Sequence, residues 1–241
     1  MNHRSFPLTC AHTGCGTAPD NTMASFMDGI SMGANVVEVD LRATKDGTVV
    51  LMHDHSPLLH EMSFEQLNQL ENRMEINPAY EFHNIASLDE IVDKARTHGI
   101  KLNLDIKTEA TIQPAIQSIQ RSEAEDLVFI TGCSNGITDS YSGIKVLYNT
   151  PDDLTNDEER EYASWSRAIS ERAHAGGYFG LNMDYRTCRR EVVEEAHALG
   201  LAVWVYTVDD EEAICNMIEI GVDEITTNNV TLLKQLQAQR G

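Results

Sequence analysis

The feature that most constrains the fold of this sequence is a local order that occurs four times: an amphipathic segment, a glycine, and a short run rich in β-branched residues. The four glycines are Gly33, Gly99, Gly200 and Gly221. Glycine commonly ends a helix because it adopts the left-handed conformation without a steric penalty. Each repeat therefore predicts a helix followed by a strand, and such alternation favours a parallel sheet.

The number of strand-like segments narrows the architecture. Between them, hydrophobic residues recur at helical spacing, as at Leu88, Ile91, Val92 and Ala95. Eight parallel strands alternating with helices are typical of an α/β protein with a TIM (β/α)8 barrel, which is the fold we predict. A doubly wound open sheet is the alternative, although no G-x-G-x-x-G motif follows a strand. The predicted strands are residues 7–12, 35–41, 100–106, 126–131, 144–148, 178–182, 201–206 and 222–226.

One segment departs from the alternation of helices and strands. Residues 42–53 predict a hairpin, with LysAspGly at 45–47 as its turn. Residues 54–86 have the weakest core pattern, so we expect a small insertion over one end of the barrel. Because no linker or second domain is evident, we expect residues 1–241 to form a single TIM-barrel domain.

The charge of the chain restricts its partners. Its 18 basic and 38 acidic side chains give a net charge of −20, which disfavours nucleic-acid and membrane-surface roles. An anionic substrate would need local positive charge, which a divalent cation supplies. With no long apolar run, no apolar signal core at the start, and five cysteines in no disulfide or zinc pattern, we expect a cytoplasmic protein without a membrane span. A homo-oligomer is not indicated.

Polar residues end several predicted strands, which is where parallel barrels build their active sites. Glu38 and Asp40 lie two residues apart and thus on one face of their strand, where both carboxylates reach one cation. Oxygen-only ligands indicate Mg²⁺ or Ca²⁺. The polar residues at strand or hairpin ends are His12, Glu38, Asp40, His53, Asp54, Asp105 and Lys107.

Two of these residues, His12 and His53, stand alone in sequence, and a lone histidine is commonly a packed core residue. Together with the carboxylates they support a different hypothesis. Two imidazoles that flank a cation-bound group are suited to act as general base and general acid in a displacement at phosphorus. The sequence does not say which histidine has which role.

Several motifs, in order and at compatible spacings between about residues 8 and 228, resemble the glycerophosphodiester phosphodiesterase family. The resemblance implies a TIM barrel with a small insertion after the hairpin. It also implies cation-dependent hydrolysis of a small glycerophosphodiester to glycerol 3-phosphate and an alcohol. The motifs are AlaHisThrGly at 11–14, AlaProAspAsnThr at 18–22, GluValAspLeuArgAlaThrLysAspGly at 38–47, HisAsp at 53–54, LeuAsnLeuAspIleLys at 102–107 and TyrThrValAspAsp at 206–210.

The resemblance also implies roles for single residues. His12 and His53 match the acid/base histidines of the family. Glu38 and Asp40 match two metal ligands, and Asp105 stands where the third, usually a glutamate, is found. Lys107 matches a lysine expected to contact the phosphate. The other residues expected to bind substrate match or adjoin the family motifs: Asn21, Thr13, Tyr206 and Trp204.

The chain also departs from the family pattern. Thr13 replaces the arginine that normally follows the first histidine, Asp20 replaces the glutamate before Asn21, Tyr206 replaces a tryptophan, and Asn228 replaces an aspartate. The lost arginine is a side chain suited to clamping phosphate by two hydrogen bonds. These changes indicate a divergent branch of the family.

Three other functions fit the same residues. A cyclising lyase, as in phospholipases D of spider toxins, would use the substrate's own hydroxyl as nucleophile. A metal-dependent amidohydrolase would use HisAspHis at 53–55, but it requires further histidines at later strand ends, which read TyrAsn at 148–149 and AsnMetAsp at 182–184. A non-catalytic barrel that binds a phosphorylated ligand has only Thr13 and Asn228 in its favour.

Overall fold

The fold is taken from a computed structural model, which describes residues 6–240 except for the side chain of residue 240. The strands are β1 Leu8–Ala11, β2 Val36–Ala43, β3 Val49–Leu51, β4 Lys101–Ile106, β5 Val128–Gly132, β6 Lys145–Asn149, β7 Gly180–Asp184, β8 Ala202–Tyr206 and β9 Glu224–Thr227. The α-helices are α1 Met23–Ser31, α2 Leu58–Glu61, α3 Phe64–Leu67, α4 Leu70–Ile76, α5 Leu88–His98, α6 Glu109–Arg121, α7 Ile137–Ser140, α8 Asn156–Arg160, α9 Tyr162–Ala175, α10 Arg190–Ala198, α11 Glu211–Ile220 and α12 Val230–Arg240.

Eight of the strands close into a parallel barrel. The sheet runs β1-β9-β8-β7-β6-β5-β4-β2, and a further β1–β2 pairing joins its ends. The prediction of a TIM barrel is therefore confirmed, with every predicted strand boundary within two residues of the observed one. The hairpin is also confirmed, since β3 pairs with β2 in the antiparallel direction.

The glycine pattern has the expected physical basis. Gly33, Gly99, Gly200 and Gly221 have φ angles of 90°, 67°, 76° and 89°, in the left-handed region that other residues rarely adopt. Gly99 and Gly221 cap their helices, and Gly33 and Gly200 follow the capping residue by one position. Each turns the chain toward the next strand. Local conformational preference thus sets the alternation on which the barrel depends.

Helix α5 shows how sequence sets both ends of an element. The Ser87 hydroxyl accepts a hydrogen bond from the Glu90 amide at 3.3 Å, and the Glu90 carboxylate accepts one from the Ser87 amide at 2.8 Å. The helix ends at Gly99 in the left-handed conformation. Its apolar face packs in the layer between helices and strands, with Leu88, Ile91, Val92 and Ala95 all buried.

Residues 54–86 form α2, α3, α4 and a 3-10 turn, Pro78–Glu81, beside the barrel. They enclose a small apolar cluster of their own. Its buried members are Val50, Met52, Leu59, Leu67, Tyr80 and Ile85. Since Val50 and Met52 belong to the hairpin region, the cluster attaches this segment to the barrel next to His53.

Below the mouth of the barrel, the interior contains a buried carboxyl group. Glu224 is fully buried, and its Oε1 accepts a hydrogen bond from the Thr226 hydroxyl at 3.0 Å. Its Oε2 has no hydrogen-bond partner among residues 6–240. Burial raises the pKa of Glu224 to about 8, because the charged form loses its hydration there.

We predict that Glu224→Gln removes a pH-dependent destabilisation. Because the folded-state pKa is raised, the unfolded chain binds fewer protons than the folded one between pH 4.5 and about 8, and wild-type stability falls as pH rises through this window. The slope due to this group is at most about 1.4 kcal/mol per pH unit. Urea unfolding at pH 5 and pH 8 checks this prediction. The wild type and the variant should be similar at pH 5, and the variant should be the more stable at pH 8; a constant difference would contradict it.

Candidate active site

A cavity of about 510 Å³ opens at the C-terminal ends of the barrel strands. This is the end at which the predicted polar residues lie, so the fold gathers most of them in one place. The lining residues are His12, Glu38, Asp40, His53, Asn103, Asp105, Lys107, Thr131, Gly132, Asn149, Thr150, Asp152, Asn182, Tyr206, Thr207 and Thr226.

Three carboxylates converge at one side of this cavity. Glu38 and Asp40 lie on β2, and Asp105 lies directly opposite Asp40 on β4. One oxygen from each of the three lies within 4.8 Å of the others. Glu38 and Asp40 are buried, so their charges are poorly hydrated. The set offers only oxygen donors, which suits a hard divalent cation.

The carboxylate of Glu38 depends on a strained turn. Thr13 has a φ of 47° within the 3-10 turn His12–Gly14, and its amide donates a hydrogen bond to Glu38 Oε2 at 2.9 Å. Burial, followed by the charges of Asp40 and Asp105, raises the pKa of Glu38 well above its usual range. The site therefore has an excess of negative charge that a bound cation would relieve.

Two substrate-binding predictions made from sequence fall on residues that lie behind the carboxylates. The Thr13 side chain is buried and its hydroxyl has no hydrogen-bond partner in the described part of the chain. Asn21, also buried, donates to Asp40 Oδ2 at 2.7 Å and accepts from the Asp40 amide at 2.9 Å. Neither lines the main cavity. Thr13 and Asn21 thus orient metal-ligand candidates in place of contacting substrate there.

Lys107 carries the cationic group closest to the carboxylates. Its Nζ lies 2.6 Å from Asp40 Oδ1 and 2.7 Å from Asp105 Oδ2. Although burial works against its charge, Asp105 and Asp40 raise the pKa of Lys107. One ammonium group against three carboxylates leaves the cluster negative.

His12 is held by a chain of hydrogen bonds. Its Nδ1 lies 2.9 Å from Asn228 Oδ1. Asn228 Nδ2 donates to Asp209 Oδ2 at 2.8 Å, and the Asn228 amide donates to Asp209 Oδ1 at 2.7 Å. Because a carboxylate only accepts, the Asn228 amide group must present its oxygen to His12, so His12 Nδ1 is the donor. This arrangement leaves Nε2 of His12 with a free lone pair.

His53 has a different partner. Its Nδ1 lies 2.9 Å from Asp54 Oδ1, so a carboxylate takes the place that an amide takes beside His12. The backbone next to it is fixed as well, since Arg42 donates to the His53 carbonyl from Nη2 at 2.6 Å and Nε at 2.9 Å. Because a carboxylate only accepts, His53 Nδ1 is the donor, and Asp54 thus orients the ring.

The wall opposite the carboxylates is rich in amide and hydroxyl groups. Asn182 donates to Asn149 Oδ1 at 2.9 Å, and Asn149 donates to the Gly132 carbonyl at 2.8 Å. The Tyr206 hydroxyl donates to Asp152 at 2.8 Å. Burial, together with Asp152, raises the pKa of Tyr206. This wall can form hydrogen bonds with a polyol.

Trp204 does not line the cavity, contrary to expectation. It lies two residues below Tyr206 on β8 and is fully enclosed, with 1% of its surface exposed. Its ring packs on Phe129 with centroids 4.5 Å apart, in a cluster that also contains Leu147. The residue points into the barrel, but one layer too deep to meet a substrate.

Gly132 is a site residue that sequence reasoning missed. It ends β5 with a φ of 72°, and a Cβ atom built there would overlap Asp105 Oδ1 and the Ile106 carbonyl. Asp209 was missed for a similar reason, since it acts through Asn228. A glycine or an aspartate after a strand is common, and only the fold shows what it touches.

The family model for glycerophosphoryl diester phosphodiesterases matches residues 12–232. The chain belongs to this family. The family assignment confirms the sequence resemblance and the prediction that the chain is an enzyme, a glycerophosphodiester phosphodiesterase. The amidohydrolase alternative has no further support, because His55 does not line the main cavity.

Relatives of this phosphodiesterase match it over nearly its whole length. A glycerophosphodiester phosphodiesterase of Caldanaerobacter subterraneus is 24% identical, covering 97% of this chain and 99% of its own. An Oleispira antarctica phosphodiesterase solved with sn-glycerol-3-phosphate has a TM-score of 0.78 at 21% identity, with 97% of each chain covered. A Parabacteroides distasonis glycerophosphodiester phosphodiesterase has a TM-score of 0.78 at 19% identity, covering 98% of this chain and 99% of its own.

No helix within residues 6–240 combines the length and the apolar character required to span a membrane.

We predict that Gly132→Ala disables the site without unfolding the barrel. The added methyl group must displace Asp105 or the chain around Ile106. A shift of about 1 Å in a site group can lower activity by about a hundredfold. Steady-state kcat/KM on a glycerophosphodiester, with circular dichroism as the check on folding, measures this effect. Gly143→Ala is the control, because no atom lies within 4 Å of a Cβ built there. Equal activity of the two variants would contradict the prediction.

Proposed function

We propose that this protein hydrolyses small glycerophosphodiesters to glycerol 3-phosphate and an alcohol, with one divalent cation, Mg²⁺ or Ca²⁺, held by Glu38, Asp40 and Asp105. The observation that carries the proposal is the convergence of these carboxylates in a cavity that two histidines also line. Such an ion, when bound, supplies positive charge beside the phosphate, which offsets the negative charge that develops there during the reaction.

The residues of the cluster fit a cation of this kind. All three donors are oxygens and their separations are within 4.8 Å. Burial, followed by the charges of Asp40 and Asp105, raises the pKa of Glu38. Lys107 supplies one further positive charge at the edge of the cluster. With the arginine of the family motif replaced by Thr13, Lys107 is the one lysine or arginine among the described residues that lines the cavity, and we assign it to the phosphate oxygens.

We assign the role of general base to His12. The Asp209–Asn228 chain fixes the proton on Nδ1 and leaves Nε2 able to accept a proton from the attacking hydroxyl or water. Asn228, which stands where the family has an aspartate, therefore still orients the His12 ring.

We assign the role of general acid to His53. The Asp54 carboxylate accepts a hydrogen bond from Nδ1, and Arg42 fixes the His53 backbone carbonyl, so the ring is held at the rim of the cavity. Because His12 and His53 come from the ends of different elements, they approach a bound phosphate separately. Proton removal from the nucleophile and proton donation to the leaving oxygen can then take place on the same bound substrate.

The amide and hydroxyl wall suits the glycerol half of the substrate. Asn149, Asn182 and Tyr206 offer hydrogen-bonding groups and no cationic charge there. The Oleispira neighbour, which shares the fold, was solved with sn-glycerol-3-phosphate. We place the glycerol hydroxyls at this wall.

We predict that activity requires a cation and both histidines. Metal-stripped wild type should form glycerol 3-phosphate from glycerophosphocholine or glycerophosphoethanolamine only after Mg²⁺, Ca²⁺ or Mn²⁺ is added, as followed by phosphorus NMR. His12→Ala and His53→Ala should lose about a hundredfold or more. His174→Ala, on the exposed face of α9, is the matched control. A cyclic phosphate product would assign the lyase reaction, and no turnover of either diester would refute the proposal.

We predict that the leaving group separates the two histidine roles. An acid is needed for an alkoxide leaving group but hardly for p-nitrophenolate, so His53→Ala should be far less impaired on glycerol p-nitrophenyl phosphate than on glycerophosphocholine. His12→Ala should be impaired on both substrates. Comparison of kcat/KM for the two substrates in the two variants tests this. The opposite pattern would exchange the roles, and equal losses would refute the assignment.

A further inference from the structure

Asn103 lies next to the carboxylate cluster and carries a neutral amide group. It precedes Asp105 by two residues on β4, so the two side chains share a face of the strand, and it is paired directly with Glu38 on β2. The residue is only 3% exposed, yet it lines the main cavity. An uncharged hydrogen-bonding group is therefore held beside two of the candidate metal ligands.

The hydroxyl of Thr131 fixes the orientation of this amide. Thr131 lies on β5, where it is paired with Asp105, and its Oγ1 donates a hydrogen bond to Asn103 Oδ1 at 3.0 Å. The reverse orientation of the amide would turn its oxygen toward the side of Glu38 and Asp105, whose carboxylates only accept hydrogen bonds. The oxygen of the amide is thus held by Thr131, and its nitrogen is directed into the site.

The amide nitrogen of Asn103 has no acceptor among residues 6–240. The other two asparagines that line the cavity differ in this respect. Asn149 Nδ2 donates to the Gly132 carbonyl at 2.8 Å, and Asn182 Nδ2 donates to Asn149 Oδ1 at 2.9 Å. An amide that is anchored by its oxygen and has both N–H groups available is a prepared donor for a bound group.

The phosphate of the substrate is the group that needs such a donor. This step rests on the proposed function, in which a cation and Lys107 meet the phosphate oxygens. Lys107 is already shared between Asp40 and Asp105. Thr13 stands where the family has an arginine able to donate two hydrogen bonds. Asn103 would supply a donor to the phosphate without adding a charge to the site.

We propose that Asn103 Nδ2 donates a hydrogen bond to a nonbridging oxygen of the phosphate, and that Thr131 is the positioning residue that keeps the amide in this orientation. The hydrogen bond strengthens as negative charge develops on that oxygen during the reaction. The donor needs no reorientation at that moment, because its oxygen end and its backbone are both fixed. Its contribution is therefore expected in kcat more than in KM.

Kinetics of matched variants test both roles. Asn103→Leu removes the donor at similar volume and should lower kcat for glycerophosphocholine about a hundredfold, with KM within about threefold of wild type. Thr131→Val keeps the shape of its side chain but loses the hydroxyl, and it should lower kcat about tenfold, whereas Thr131→Ser should remain close to wild type. Thr9→Val is the control and should keep wild-type kcat, because Thr9 is a fully buried strand threonine that does not line the cavity.

A sulfur substitution separates a contact with phosphate from a merely structural role. Replacement of either nonbridging oxygen of glycerophosphocholine by sulfur gives two diastereomers, and sulfur is a weak hydrogen-bond acceptor. For one diastereomer, the ratio of kcat for the oxygen substrate to kcat for the sulfur substrate should be about tenfold smaller in Asn103→Leu than in wild type. A variant that only disturbs the shape of the site would leave both ratios at their wild-type values. If circular dichroism shows that Asn103→Leu does not fold, Thr131→Val and Thr131→Ser are compared in the same way.

Binding measured without turnover distinguishes this inference from the proposed function. Orthovanadate resembles the phosphorus centre of the transition state, and in calorimetry with Mg²⁺ it should bind wild type about tenfold more tightly than Asn103→Leu. Equal affinities, including no binding to either protein, or sulfur ratios that do not change, would overturn the inference even if hydrolysis persists. Vanadate binding that depends on Asn103, without hydrolysis of any diester, would refute the proposed function alone.

Discussion

The close approach of three carboxylates at the barrel mouth is the constraint on which the rest of the site depends. Like charges within 4.8 Å repel, and two of these groups are buried, so the fold must supply the compensation. It does so from behind each oxygen: the Thr13 amide supports Glu38, Asn21 supports Asp40 through two hydrogen bonds, and Lys107 bridges Asp40 and Asp105. Because Asp40 and Asp105 are directly paired between β2 and β4, the backbone itself fixes how close these two residues lie.

The positive φ angles of this region follow from the same requirement. Thr13 at 47° and Asn21 at 58° adopt a conformation that ordinary side chains avoid, and each presents a hydrogen-bond donor to a carboxylate. Gly132, at 72°, has no side chain because Asp105 fills the space that a methyl group would take. Backbone strain and close packing are thus concentrated where the charges converge, which is expected of a site that must hold its groups in fixed positions.

Sequence reasoning located the barrel and the residues at its strand ends because both follow from local rules. Glycine after a helix, alternation along a strand, and the shared edge of parallel strands together predict the placement of His12, Glu38, Asp40, His53, Asp105 and Lys107. It failed where the answer depends on depth or direction. Trp204 and Tyr206 share a face of β8, and only barrel packing shows that the first is a layer below the cavity. The inward direction of the Thr13 side chain is set by a single dihedral angle that composition does not encode.

The polarity of the site changes in a fixed order across the cavity. Amides and hydroxyls line one side, at Asn149 and Asn182, and the carboxylate cluster with Lys107 lines the other. A glycerophosphodiester has a corresponding order of groups, a diol followed by an anionic phosphate. In a chain of net charge −20, positive charge near the phosphate would come from Lys107 and a bound cation. A bound cation would then offset both the carboxylate cluster and the phosphate, so the acidity of the chain and the need for a cation at its site would have a common physical origin.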